Sequence, residues 1–193
     1  MNVVYEARRR SLAGFLEVYD AAQVKAEGKA GMMLLEAIAN LDPAARVGIA
    51  TVLLDDGAHA RETFSDGVNP LHVMFGRATL APEMEAPLLR RLIDAGADVN
   101  AVAKKFGTPL DLLIGQFKYS DEMLAPYYDV LFSYDDLDPL KLGAFKRSAY
   151  DLVVAHQRRP MLQARMEQHL RDHSSRAGAT DLARPRSSAP SER

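Results

Sequence analysis

The element Asn69-Pro70-Leu71-His72 returns 39 residues later as Thr108-Pro109-Leu110-Asp111 and, 40 residues beyond that, as Ser148-Ala149-Tyr150-Asp151. Each copy reads as a helix start. An Asn, Thr or Ser side chain accepts hydrogen bonds from the orphan amides of the first turn, and a proline just inside the helix gives up an N–H that had no partner. Gly57 and Gly96 directly follow apolar helical runs, where a left-handed residue ends a helix at little steric cost. The unit therefore predicts helix, turn, helix, stop. Such a pair cannot bury its apolar face alone, so neighbours must stack to make one continuous core.

The clearest unit is Gly67-Val68-Asn69-Pro70-Leu71-His72 followed by Leu88-Leu89-Arg90-Arg91-Leu92-Ile93-Asp94-Ala95-Gly96-Ala97-Asp98-Val99-Asn100-Ala101, and it resembles the ankyrin repeat. A degenerate earlier copy runs from Gly31-Met32-Met33-Leu34-Leu35 to Leu53-Leu54-Asp55-Asp56-Gly57-Ala58. The resemblance implies an all-α ankyrin-repeat solenoid of about four helix-turn-helix repeats, near residues 28–63, 64–102, 103–142 and 143–173. Leu12, Phe15, Leu16 and Tyr19 follow the rhythm of a one-faced helix and predict an N-terminal capping helix. The polar-rich Met161–Leu170 run reads as the C-terminal cap, and residues 174–193, rich in Ser, Ala, Arg and Pro, as a disordered tail.

The chain departs from the family pattern in three places. Leu71 to Gly96 spans 25 residues and Leu35 to Gly57 spans 22, against roughly 19 in the family unit. The extra residues, Arg77–Met84 and a second set near Lys118–Glu122, are expected in loops between paired helices. The third repeat loses the Gly-Ala-Asp closing at Tyr134-Asp135-Asp136. Phe106 stands where the family places a glycine, which leaves the neighbouring hairpin undetermined.

The 193 residues carry a formal charge of -2, 48% hydrophobic content and no cysteine. A near-neutral balance offers no electrostatic footprint for nucleic acid. Without cysteine there are no disulfides, thiolate nucleophiles or thiolate metal ligands, which fits a reducing compartment. No run approaches the roughly 20 apolar residues of a membrane span and no signal-peptide core opens the chain, so a cytoplasmic protein with no membrane partner is expected. No G-x-S-x-G element or phosphate-cradling glycine loop is present, and catalytic, cofactor-binding and metal sites are not expected. His169 and His173 have metal-ligand spacing but lack an accompanying Glu, and read as a solvated helix face.

Binding another protein is then the expected function. By the resemblance, finger tips and inner-helix ends line a concave binding face, which here means Ser65, Asp66, Lys104, Lys105, Ala144 and Phe145, with Arg77, Gln116 and His156. His72 is assigned by the same resemblance to tying one repeat's turn to the next. The chain is also similar to ankyrin-type immunity proteins of bacteria, which implies inhibition or sequestration of a partner such as a basic toxin; a non-inhibitory scaffold is the other reading. A monomer is expected when free.

Residues 119–138 carry Asp121, Glu122, Asp129, Asp135, Asp136 and Asp138 with no Lys or Arg, interleaved with four tyrosines and Phe132. Two readings stand open. Tyr127, Tyr128, Val130, Leu131 and Phe132 pack an outer helix whose solvated face holds the acids, or Tyr134, Asp135, Asp136 and Asp138 belong to an acidic docking surface for a basic partner. The second reading requires that replacing Asp135 and Asp136 with Lys weaken the complex severalfold in a titration against the partner.

Overall fold

The computed structural model describes residues 3–182, with side chains from 4 to 174. Within them the chain is all-α: α1 (Val3–Arg9), α2 (Leu12–Leu16), α3 (Ala21–Ala26), α4 (Ala30–Ile38), α5 (Pro43–Asp55), α6 (Pro70–Phe75), α7 (Pro82–Asp94), α8 (Pro109–Ile114), α9 (Asp121–Leu131), α10 (Ala149–His156) and α11 (Pro160–Leu182). The helices lie in two rows. Helices α1, α4, α6, α8 and α10 pack in sequence along an inner row, and α2, α5, α7, α9 and α11 along an outer row. One apolar core runs between the rows, from Val4 and Phe15 through Leu71, Phe75, Leu89 and Tyr127 to Val153 and Met166.

The repeated tetrapeptides begin inner helices, as their chemistry predicts. Asn69, Thr108 and Ser148 each cap a first turn, and the residue three positions on (His72, Asp111, Asp151) reaches back to the cap's own N–H, closing a capping box. Gly57 (φ 89°) and Gly96 (φ 102°) take the left-handed conformation after α5 and α7. In the third unit α9 ends at Phe132 without one. Its loop is held from outside: Asn100 Nδ2 donates to Asp136 O at 2.6 Å, and Asp138 N donates to Asn100 Oδ1 at 2.8 Å.

The two ends differ from the sequence expectation. In place of one capping helix there are three short ones, because Ser11 (ψ 164°) and Asp20 (ψ 107°) adopt extended conformations and each restarts the chain, capping Gly14 N and Gln23 N. The short α1 and α2 then occupy the inner and outer rows as a fifth, truncated pair. Phe15 is buried, but Leu16 points outward, so the one-faced rhythm fails there. At the other end α11 continues through residues 174–182, where a disordered tail was expected; the tail's remaining residues, 183–193, lie outside the described ones.

The insertions between paired helices are bound into a buried polar network. Arg46 and Glu85, both fully buried, pair at 2.5 Å. Arg46 also donates to Asn40 O (2.7 Å) and Thr79 O (3.0 Å), while Glu85 accepts from Ala81 N (2.8 Å) and from the Tyr127 hydroxyl. Leu80 N donates to Tyr119 Oη at 2.7 Å. The Arg77–Met84 insertion is thereby anchored on three successive units. Removing one member of a buried ion pair strands the other, at a cost of about 3–5 kcal/mol. Glu85→Ala is expected to lower the unfolding free energy, read from urea titration, by that scale and Tyr127→Phe by about 1.5–3 kcal/mol; a Glu85→Ala protein as stable as the parent would show that the pair does not hold the units together.

Candidate functional site

Between each outer helix and the next inner helix the chain makes a short finger. Phe64 N donates to Val68 O (2.8 Å), Ala103 N to Gly107 O (2.8 Å) and Gly143 N to Arg147 O (2.8 Å), the same closure at three positions 39 and 40 residues apart. The first two fingers are locked together: Lys104 N donates to Asp66 O at 2.9 Å, and a Cβ on Gly67 would stand 2.6 Å from Val102 O. The hairpin left undetermined by Phe106 keeps its closure, with Gly107 at φ 73°.

Each finger presents a phenylalanine to solvent. Phe64, Phe106 and Phe145 are 38%, 47% and 82% exposed, against an energetic preference for burial of about 1.5–3 kcal/mol per ring. Two cavities lie beneath them on the inner-row face. One, of about 340 Å³, is lined by Leu35, Ala39, Phe64, Val68, Val73, Phe106 and Leu112 with Arg8, Glu36 and Arg77. The other, of about 490 Å³, is lined by Phe106, Gly107, Asp111, Ala144, Phe145, Arg147 and Leu152. Phe106 is a wall of both, so the two form one groove across neighbouring units.

The polar groups of this groove are unevenly partnered. Glu36 Oε2 is buried without a hydrogen bond and stands 3.7 Å from Arg8 Nη1. Burial, and then the charges of Arg46 and Arg8, hold the half-buried Arg77 guanidinium below the usual arginine range. Asp111 accepts from Thr108 N (2.7 Å) through Oδ2, while its buried Oδ1 has no partner and burial pushes its carboxyl up.

No family model matches the chain, and no curated protein matches it. Among solved structures it is similar to the crystal structure of a functionally unknown protein from Leptotrichia buccalis C-1013-b, with a TM-score of 0.72 and 20% identity over 89% of this chain and 94% of that one. That likeness is one of fold alone.

The residues singled out from sequence divide between two regions. Ser65, Asp66, Lys104, Lys105 and Phe145 lie on the fingers, and Arg77 lines the first cavity. Gln116 is an internal brace, its Nε2 donating to Phe75 O and to Arg77 O. His156 is exposed and edge-on to Phe117 at 6.0 Å. The acidic segment lies instead beside the outer row. Burial, and then the bond that Tyr134 Oη donates to Asp94 at 2.7 Å, push the phenol up to about 12. Asp135, Asp136 and Asp138 are exposed on the loop after α9.

Two of the segment's other acids are already engaged: Asp121 is buried, accepting from Tyr128 Oη (2.9 Å) and Met161 N (2.5 Å), and Asp129 pairs with Arg165 (2.5 Å). Tyr127 and Tyr128 are core residues. The two helix histidines are not a solvated face either. His169 is buried with Nε2 at 2.8 Å from Leu137 O, and His173 Nε2 is 2.7 Å from Asp135 O. Among the described residues no group of three or more potential ligands stands in position to hold a metal, and no helix is long and apolar enough to cross a membrane. Phe64, Arg8 and Glu36 are not marked by the sequence pattern, and Phe106 only as a departure from the family's glycine. The available signal was that Phe64, Phe106 and Phe145 each fall within five residues of the next cap.

His72 joins two units, with Nε2 at 2.9 Å from Gly107 O and Nδ1 at 3.2 Å from Asn69 N. Donation from Nε2 and acceptance at Nδ1 describe a neutral ring. Asn69 Oδ1, 2.7 Å from Nδ1, would be a partner only for the cation, which burial disfavours by lowering the ring's pKa. Between that lowered value and the ordinary 6.5, the unfolded chain holds a proton that the folded chain does not. The ring's contribution is therefore whole above pH 6.5 and declines as the pH falls below it. His72→Gln is expected to cost about 1 kcal/mol at neutral pH and to flatten the acid-side fall of the urea midpoint; an equally steep fall in the variant would assign that fall to other groups.

Proposed function

We propose that this chain is an ankyrin-repeat module that binds another protein in the cytoplasm along the groove over Phe64, Phe106 and Phe145, and keeps that partner from acting. The observation that carries the reading is the row of exposed phenylalanines on fingers closed by the same backbone hydrogen bond. Rigid aromatic side chains flanking small cavities are what interface anchors require, because little side-chain freedom is lost on contact. A row that crosses three units suits an extended protein surface better than one small molecule.

The ankyrin assignment is supported by capping boxes at 69, 108 and 148, by the left-handed glycines after α5 and α7, and by the His72 link to the next finger. What speaks for sequestration is the resemblance of the sequence to small ankyrin-type immunity proteins. The groove, rather than the loop at Asp135 and Asp136, is the principal contact in this reading, since the tyrosines of the acidic segment are committed to packing and to internal hydrogen bonds.

Phe106→Ser removes the wall shared by both cavities. Affinity for the partner captured from the native host is expected to fall about tenfold or more, with the unfolding midpoint nearly unchanged because the ring is exposed. Undiminished affinity in Phe106→Ser and Phe145→Ser would overturn the groove assignment. A captured partner that keeps full activity in the complex would replace sequestration with a scaffolding role.

A further inference from the structure

We infer that the cavity beneath Phe64 and Phe106 receives a single carboxylate from the partner: a Glu or Asp side chain, flanked by apolar residues, that pairs with Arg77. The inference rests on the groove reading above and adds the chemistry of its occupant. Among the described residues the Arg77 guanidinium has neither a hydrogen-bond acceptor nor a carboxylate within ion-pair distance. Glu85, the acid that acts on it, is taken by Arg46, Ala81 N and Tyr127. A half-buried guanidinium has lost part of its hydration without gaining an acceptor, and a carboxylate entering the cavity supplies one with matching planar geometry.

The other charges fix the valence. Arg8 and Arg77 stand against one acid, Glu36, whose buried Oε2 already faces Arg8 at 3.7 Å. The lining thus carries one positive charge in excess, which a monoanion balances. A phosphate dianion would leave a charge uncompensated beside Glu36, and a Lys or Arg side chain would meet two cations. The remaining wall is apolar (Leu35, Val73, Leu112 and the two phenylalanines), so residues beside the acid should be hydrophobic. About 340 Å³ is room for one or two side chains and is at the small end of ligand cavities, which span about 300–1,000 Å³.

The protein contains no tryptophan, so a tryptophan in a probe peptide reports its own binding. The probes are acetylated, amidated pentapeptides Leu-Trp-X-Leu-Phe with Glu, Gln, Lys or phosphoserine at X, titrated by fluorescence anisotropy at low salt against the full chain. The Glu peptide is expected to bind about fivefold tighter than the Gln peptide. The preference should fall below about twofold in Arg77→Met and be partly kept in Arg77→Lys. Equal binding of the Glu and Gln peptides overturns the inference, as does a Glu preference that survives in Arg77→Met. Tighter binding of the phosphoserine or Lys peptide overturns the choice of a carboxylate. If none of the peptides binds up to about 1 mM while Phe106→Ser still loses the native partner, the carboxylate is wrong and the groove stands. If Phe106→Ser keeps the partner, the groove itself is wrong.

Discussion

Inner helices α6 and α8 are six residues long, and that brevity sets the problem the rest of the structure solves. A helix leaves its last four carbonyls without intrahelical donors, so in a helix this short many of the carbonyls must find donors elsewhere. Side chains from neighbouring units supply them. Asn40 Nδ2 donates to Ala7 O and Arg10 O at the end of α1, and Gln116 Nε2 to Phe75 O and Arg77 O at the end of α6. Arg159 donates to Gln116 O and Tyr119 O beyond α8. Each of these side chains belongs to the next unit along the chain, so the ends of α1, α6 and α8 are satisfied by their successors. Stacking is here a hydrogen-bond requirement as much as a hydrophobic one.

The same logic explains why charged residues occupy the interior. Arg46 spans two loops through Asn40 O and Thr79 O, which no apolar side chain does, and its charge then needs Glu85 beside it. Glu85 in turn needs donors for its second oxygen, found in Ala81 N and Tyr127. The extra residues that lengthen the middle unit feed this chain of requirements. Asp121 repeats the pattern one unit on, accepting from Tyr128 and from Met161 N in the first turn of α11. Surface pairs such as Asp55 with Arg91 and Asp129 with Arg165 join successive outer helices, but at exposed positions such pairs contribute little beside the buried ones.

What could be read from sequence follows from the range of the interactions involved. Capping and helix termination act within four residues, so Asn69, Thr108, Ser148, Gly57 and Gly96 announced their roles. The apolar rhythm of residues 12–19 misled because α2 ends after five residues, at Leu16, whose side chain stays exposed. The network at Arg46, Glu85 and Tyr127 joins residues 39 to 42 positions apart across irregular loops, and no periodicity encodes it. For that reason Gln116 passed as an interface residue, and Asp121 and Asp129 as unneutralised acids. The groove was half legible. Arg77 and Phe145 were placed on the inner-row face, but Phe64 and Phe106 sit at different offsets within their fingers, where a loop phenylalanine carries no helical signal.

Rigidity connects the buried network to the groove. Phe106 stands on a finger whose closing carbonyl, Gly107 O, also faces His72 Nε2, and whose Lys104 N is bonded to the preceding finger. Arg77 follows the end of α6, where its own carbonyl is held by Gln116 of the next unit. The backbone that carries the Phe106 ring and the Arg77 side chain beside the first cavity is therefore held by contacts to two different neighbours. A site made this way does not depend on induced ordering of its loops, and the entropy that association costs falls mainly on the partner. The interactions that stack the units therefore also hold the backbone on which the groove is built.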